Sequence, residues 1–230
     1  FSYRQDRGHK WHSGAFVKLC GGLERRAALW RSRRISAWAS DDPAGNPVMV
    51  SQFVTLENIR SAQERIRHKV LRTPMIADTR IAGCYLKQEY RQTTGAFKLR
   101  GATNAIMSLS PEHRARGVVT ASTGNHGRAL AHAAGIAGIR AVVCLSHLVP
   151  ENKVLAIREL GAEVRVAGES QDEAMEEVAR VVESEGLAEI PPFDAEAVVA
   201  GQGTLGLEIL SDVPEPDCIL IPLSGGGLAA

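Results

Sequence analysis

The 230-residue sequence has no uninterrupted apolar run long enough to cross a bilayer, which excludes a simple membrane-spanning helix. It has almost no net charge. Its 27 Lys and Arg stand against 26 Asp and Glu, a formal balance of +1. That gives no general case for a nucleic-acid or membrane partner. It has no Cys-x-x-Cys. Cys20, Cys84, Cys144 and Cys218 are scattered, which argues against a structural zinc site and reads as reduced thiols of a cytoplasmic protein. There is no internal repeat and no low-complexity tract. What is present is 44% hydrophobic and 23% charged residues, the composition of a packed globular chain of one or two domains.

The first fifty residues differ from the rest. "RRAALWRSRRISAW" carries Arg25, Arg26, Arg31, Arg33 and Arg34, and before Asp41 the only acids are Asp6 and Glu24. Such a leader suits a transit peptide or a basic arm for RNA or anionic lipid. Without regular amphipathicity or a cleavage pattern, an unstructured extension or an upstream translation artefact is the simpler expectation. The chain begins at Phe1, so a natural start is expected to be missing. "SDDPAGNP", Ser40 to Pro47, is turn-forming and marks the boundary, giving an extension over 1–50 and a domain over 51–230.

Beyond it, Leu56, Ile59, Ala62, Ile66 and Val70 fall on one helical face. Thr55 is the expected N-cap, Asn58 stands where a capping box wants Glu, and Pro74 stops the segment. From Lys98 onward helices and short apolar strands alternate: a helix through Ala102, Ile106 and Leu109, the strand "GVVTAS", a small-residue helix ending at Gly135, the strand "RAVVCL", a helix from Pro150 to Gly161, the strand "EVRVAG", and a helix with Ala174, Val178, Val181 and Val182 inside. "DCILIPL" is a further strand, apolar on both faces and expecting neighbours on each side. This alternation predicts βαβ units and a parallel sheet covered on both faces, the α/β class.

In such sheets ligands bind in loops that follow strands. "STGNHG", Ser122 to Gly127, follows one strand, and "SGGGL", Ser224 to Leu228, follows another. Both suit backbone N–H groups converging on an anion at a helix start. The bland alternative for Gly225, Gly226 and Gly227 is a tight turn. "GQGTLG", Gly201 to Gly206, fits the dinucleotide pattern G-x-G-x-x-G but follows no apolar strand. A helix N-terminus with Gly203 and Thr204 near its start is the expected reading. His126 suits helix-start packing or a substrate contact better than a general base, because no nucleophile or orienting acid is in view. Lys98, after Thr94-Gly95-Ala96-Phe97, is either a solvated surface lysine or one held in a pocket for covalent chemistry.

Arg72-Thr73-Pro74, Lys87, Glu89, Gln92, "TGAFK" at 94–98, Arg100-Gly101-Ala102, Ser122 with Gly124-Asn125-His126-Gly127, and Gly225-Gly226-Gly227-Leu228 together form an ordered set. In it the chain resembles the pyridoxal-phosphate enzymes of the tryptophan-synthase-β structural group, and within them the threonine/serine dehydratase and serine racemase branch. "ASTGNHGRAL", "LVPENKV" and "GQGTLGLEIL" look closest to dehydratases of hydroxyectoine utilisation. The match runs from about Thr55 to the last residue.

The resemblance implies two parallel-sheet subdomains with pyridoxal 5'-phosphate in the cleft between them. The smaller would span about 95–187, and the larger 51–94 with 188–230. Family members continue past the glycine loop, so a missing C-terminal part is expected. With it would go the partner of the pyridine nitrogen, leaving this chain inactive alone. The resemblance also implies that Lys98 carries the cofactor covalently and serves as the catalytic base. Asn125 would hydrogen-bond the cofactor's 3′ oxygen. Ser224, Gly225, Gly226, Gly227 and Leu228 would hold its phosphate. Ser122, Thr123, Gly124 and His126 would meet the substrate carboxylate. The implied reaction is β-elimination on a hydroxy amino acid such as threonine or serine, giving a 2-oxo acid and ammonia, in a homo-oligomer. A racemase on the same scaffold and an inactive remnant are the alternatives. Two positions depart from the family pattern. Ser224 replaces the first glycine of the usual loop. Thr123 replaces a serine that in racemases donates a proton to the second face, which favours elimination over racemisation.

Overall fold

The computed structural model describes residues 54–122 and 124–230, together with the backbone of 15–20. The elements in chain order are β1 (Ala15–Cys20), α1 (Leu56–Ile66), β2 (Met75–Ala77), β3 (Tyr85–Lys87), a 3-10 turn (Glu89–Arg91), α2 (Lys98–Met107), α3 (Pro111–Arg116), β4 (Val118–Ala121), α4 (Asn125–Ala137), β5 (Ala141–Leu145), α5 (Glu151–Arg158), β6 (Glu163–Val166), α6 (Gln171–Glu185), β7 (Ala188–Glu189), α7 (Glu196–Asp212) and β8 (Cys218–Leu223).

The predicted parallel sheet is present, with strand order β6-β5-β4-β7 and every pair parallel. Both central strands are buried along their whole length. Alternate residues feed two cores, as the two-residue period of a strand requires. Val118, Val143 and Leu145 join Leu99, Ala102, Ile106, Leu130 and Ile157 on one face. Val119, Val142 and Cys144 join Ala174, Val178 and Val181 of α6 on the other. Alanines on α4, among them Ala129, Ala131, Ala133 and Ala134, lie in the first of these cores beside residues of α2.

Local signals act as expected at the helix ends. Asn58 does complete the capping box of α1: its Oδ1 accepts from Thr55 N at 2.8 Å, and Thr55 Oγ1 accepts from Asn58 N at 3.2 Å. α4 runs two residues past the expected stop at Gly135 and ends at Gly138, which takes the left-handed conformation (φ +66°) that a side chain would oppose.

One expectation needs correction. Gly201–Gly206 do not start a helix. They lie inside α7, where a Cβ on Gly201 would sit 2.6 Å from the Gly101 Cα, so these glycines mark the close crossing of α7 and α2. β8, whose apolar pattern expects a neighbour on each side, has one among the described residues. It pairs antiparallel with β1, from Ala15 opposite Leu223 to Cys20 opposite Cys218, and its residues alternate between exposed and half-buried. The expectation of an unstructured leader meets this strand at 15–20. Residues 1–14 and 21–53, with the arginine-rich stretch and Ser40–Pro47, lie outside the described residues. Among the described residues no helix is long and apolar enough to cross a membrane.

Candidate functional site

Lys98 is the first residue of α2. Phe97 occupies the cap position without a side-chain hydrogen bond, and the first turn contains no acidic residue. A positive side chain at the positive end of a helix is electrostatically disfavoured. Burial adds to this by pushing the Lys98 ammonium below the usual lysine range. Nζ lies 5.5 Å from the centre of the Phe97 ring and donates a hydrogen bond to the carbonyl of Pro192. The solvated-surface alternative is therefore set aside by geometry: the amine is half-buried and held at one point.

His126, the second residue of α4, is 2% exposed. Its Nε2 lies 3.0 Å from the carbonyl of Ile190. A carbonyl only accepts, so Nε2 carries the hydrogen. Burial pushes the imidazole pKa down to about 4, with the charge of Lys98 acting in the same direction against the opposing pull of the Ile190 carbonyl. The neutral ring thus keeps a bare Nδ1, buried and without a partner among the described residues.

The loop before α4 is built around Ser122, whose Oγ accepts from Gly127 N at 3.1 Å and Gly124 N at 3.4 Å. The hydroxyl hydrogen remains available to donate. Asn125 is exposed in the first turn. Thr123, expected to meet the substrate, lies outside the described residues.

The glycine loop follows β8. Among the described residues nothing accepts a backbone hydrogen bond from the N–H groups of Gly225, Gly226, Gly227 or Leu228. Four successive donors are therefore available to an anion, with the exposed Ser224 beside them. Two of the glycines have a second reason to be glycine. A Cβ on Gly225 would lie 2.5 Å from the Phe193 ring, and one on Gly227 would collide with the Phe193 carbonyl.

The segment 190–193 thus brings the pieces together. Ile190 receives His126, Pro192 receives Lys98, and Phe193 packs on the glycine loop. Sequence reasoning passed over it. Its available signal was "IPPF", two successive prolines that stiffen the chain directly after the short β7.

The remaining motif residues do not face this site. Arg100 is fully buried and pairs with Glu89 and Glu208, Lys87 reaches Glu208 at 2.7 Å, and Thr73 donates to Glu89. Gln92 imitates a strand partner: its Oε1 accepts from Leu71 N and its Nε2 donates to Leu71 O, both at 2.9 Å.

The donor set fits pyridoxal phosphate. An amine whose charged form burial disfavours suits an aldehyde, and, among the described residues, four N–H groups without a backbone acceptor suit a phosphate dianion and an unpartnered buried imidazole nitrogen suits a polar ligand.

Comparison with known proteins agrees. Residues 66–230 match the family model described as pyridoxal-phosphate dependent enzyme. A Sinorhizobium fredii protein whose name places it among the threonine dehydratases is 57% identical over 182 residues, covering 77% of this chain and 55% of that protein. An L-threonine ammonia-lyase of Thermotoga maritima is 43% identical over 181 residues, covering 76% and 45% respectively. Among solved structures, maize serine racemase superposes with a TM-score of 0.72 at 37% identity, covering 76% of this chain and 55% of that one. The chain spans about half the length of the curated relatives it matches.

Proposed function

We propose, from the premise that the chain belongs to the pyridoxal-phosphate dependent enzyme family, that the whole protein is an ammonia-lyase. It dehydrates and deaminates a hydroxy amino acid such as threonine or serine to a 2-oxo acid and ammonia. The observation that carries this reading is the convergence of Lys98, His126 and the glycine loop on residues 190–193. The relatives named for threonine dehydration or ammonia release support the choice of substrate class.

When bound, pyridoxal phosphate supplies an aldehyde for an amine and a conjugated ring that accepts the electron pair left at the α-carbon. The chain's own residues do the rest. The N–H groups of Gly225 to Leu228, with Ser224, hold the phosphate. Asn125 holds the 3′ oxygen. Lys98 carries the cofactor covalently. Once displaced from it, Lys98 Nζ would take the α-proton, and burial, which disfavours the ammonium form, favours the neutral amine that this needs. Ser122, Thr123 and the Gly124 backbone meet the substrate carboxylate. The bare Nδ1 of His126 only accepts, so its partner is an N–H or O–H of the bound ligand and not the carboxylate, and its low pKa keeps it neutral, so it moves no proton. The β-hydroxyl leaves as water, and addition of water to the resulting enamine's imine form releases ammonia. We place the protein in the cytoplasm as a homo-oligomer; among the described residues Cys84 and Cys144 form no disulfide, which accords with the first of these.

A racemase is the second reading, favoured by the superposition on maize serine racemase and opposed by Thr123. One assay on the whole protein separates them: incubate with L-threonine and L-serine, then measure 2-oxo acid, ammonia and D-isomer. The lyase reading expects 2-oxo acid and ammonia in equal amounts. D-isomer as the main product overturns it, and neither product marks an inactive remnant. Adding the amino acids of hydroxyectoine breakdown as substrates tests the finer resemblance in the same way.

A further inference from the structure

Arg100 is the largest fully buried side chain of the described residues and lies two residues after Lys98. At 100° per residue the two side chains leave α2 on opposite faces. Lys98 reaches Pro192, whereas Arg100 reaches backward. Its Nε donates to Glu89 Oε2 at 2.9 Å and its Nη2 to Glu89 Oε1 at 2.9 Å. On the other side Nη1 donates to Glu208 Oε1 at 2.7 Å and Nη2 to Glu208 Oε2 at 2.9 Å. Thr204 Oγ1 and the Leu71 carbonyl, each at 3.3 Å, complete the shell. Every guanidinium hydrogen has an acceptor, and two carboxylates grip the planar group from two sides, the geometry in which arginine is most rigid.

The cluster is also neutral. Lys87 Nζ, itself buried, pairs with Glu208 at 2.7 Å and Asp212 at 3.5 Å and donates to the Thr73 carbonyl at 2.7 Å, and Arg72 pairs with Asp212, so three cations face three carboxylates. A neutral, fully hydrogen-bonded ion cluster is tolerated in a core, whereas removing one member leaves an uncompensated charge. The ties join three separate parts of the chain: the turn after β3 through Glu89, the middle of α7 through Glu208, and the first turn of α2 through Arg100. That first turn has no capping side chain and no acid of its own. Its N–H groups are held, Leu99 N by the Ala96 carbonyl at 3.4 Å, Arg100 N by the Phe97 carbonyl at 3.0 Å and Gly101 N by Gln202 Oε1 at 3.2 Å, and the Lys98 amine stands on it.

We infer that the Glu89–Arg100–Glu208 cluster is a positioning clamp that fixes the first turn of α2 and thereby holds the Lys98 amine on the Pro192 carbonyl. The inference rests on the reading of Lys98 as the cofactor lysine. Arg100 touches neither cofactor nor substrate. It acts through the backbone it shares with Lys98.

The sign of one titration tests this. In the cofactor-free whole protein, trace acetylation followed by peptide mass spectrometry gives the pKa of Lys98 from the pH dependence of its labelling. Glu208→Gln removes a negative charge, so a purely through-space effect lowers that pKa. A purely structural role lowers the melting temperature and leaves the pKa where it was. Loss of positioning lets the amine leave Pro192 and hydrate, which raises it. The clamp predicts an upward shift of about one pH unit in Glu208→Gln and in Glu89→Gln, with weaker cofactor binding and a fall in kcat larger than any change in KM. Glu89→Gln serves if Glu208→Gln does not fold. Glu163→Gln, in the surface cluster with Arg140 and Arg165, shifts nothing. An unchanged or lowered Lys98 pKa in the clamp variants overturns the inference. Borohydride trapping of the cofactor on the unsubstituted protein is read in parallel. A tag away from Lys98 defeats the functional reading itself, whereas a tag on Lys98 with an unmoved pKa defeats only the clamp.

Discussion

The amine of Lys98 donates to the carbonyl of Pro192, 94 residues further along the chain. This tie fixes the amine against the segment that also receives His126 and packs on the glycine loop. Lys98 and the loop at 225–228 are far apart in sequence, so their meeting depends on that segment keeping its shape.

The glycine loop tests that dependence by side-chain size. Gly225→Ala brings a methyl against the Phe193 ring, and Gly227→Ala brings one against the Phe193 backbone. Each is expected to cost about 1–3 kcal/mol of stability and to weaken cofactor binding. A ring can be removed and a backbone carbonyl cannot. Phe193→Ala therefore restores much of the loss in Gly225→Ala and little in Gly227→Ala, read by cofactor titration and chemical denaturation. Equal rescue of both contradicts the packing described here.

His126 sets a pH dependence. Its folded pKa of about 4 lies below the unfolded value of 6.5. Between the two the unfolded chain holds a proton that the folded chain lacks, so stability rises with pH. The contribution, about 3 kcal/mol, is complete above about pH 6.5 and is lost as pH falls toward 4. Urea midpoints measured from pH 4 to 7.5 should show this slope, and His126→Gln should flatten it. An NMR titration in which the His126 ring protonates near pH 6.5 refutes the assignment.

The glycines of "GQGTLG" behave oppositely at two positions on one helix. Gly201→Ala drives a methyl into the backbone of α2 and is expected to cost about 1–3 kcal/mol despite alanine's better helix propensity. Nothing lies within 4 Å of a Cβ on Gly206, so Gly206→Ala gains about 0.5–1 kcal/mol. Thermal melts of the two variants check the contrast.

Asn125 is exposed in the first turn of α4, so Asn125→Ala leaves the fold intact. If it holds the cofactor's 3′ oxygen, its loss weakens binding by about 1–3 kcal/mol and shifts the absorption of the bound cofactor. An unchanged spectrum and unchanged affinity remove it from the site.

Periodicity and local chemistry made the small parallel sheet legible: the runs around Val118–Ala121 and Ala141–Leu145 are short, apolar and separated by one helix that stops at a glycine. The site motifs were visible as residues and invisible as contacts. Nothing near Arg100 in sequence announces Glu208 as its partner, because that pairing is created by the crossing of α2 and α7 at Gly101 and Gly201. The same crossing explains why "GQGTLG" misled. Glycines that admit a neighbouring helix follow the same spelling as glycines that admit a phosphate. The prolines of "IPPF" mark a stiff segment, but the roles of Pro192 and Phe193 rest on a backbone carbonyl and a ring face, which the sequence does not distinguish from ordinary packing.

The identity of the covalent lysine tests the account most directly. The whole protein, loaded with pyridoxal phosphate, is reduced with borohydride, digested and mapped by mass spectrometry. The reduced cofactor is expected on Lys98, with no tag anywhere in Lys98→Ala. A tag on Lys87, which the structure commits to Glu208, or on Lys153 would contradict it.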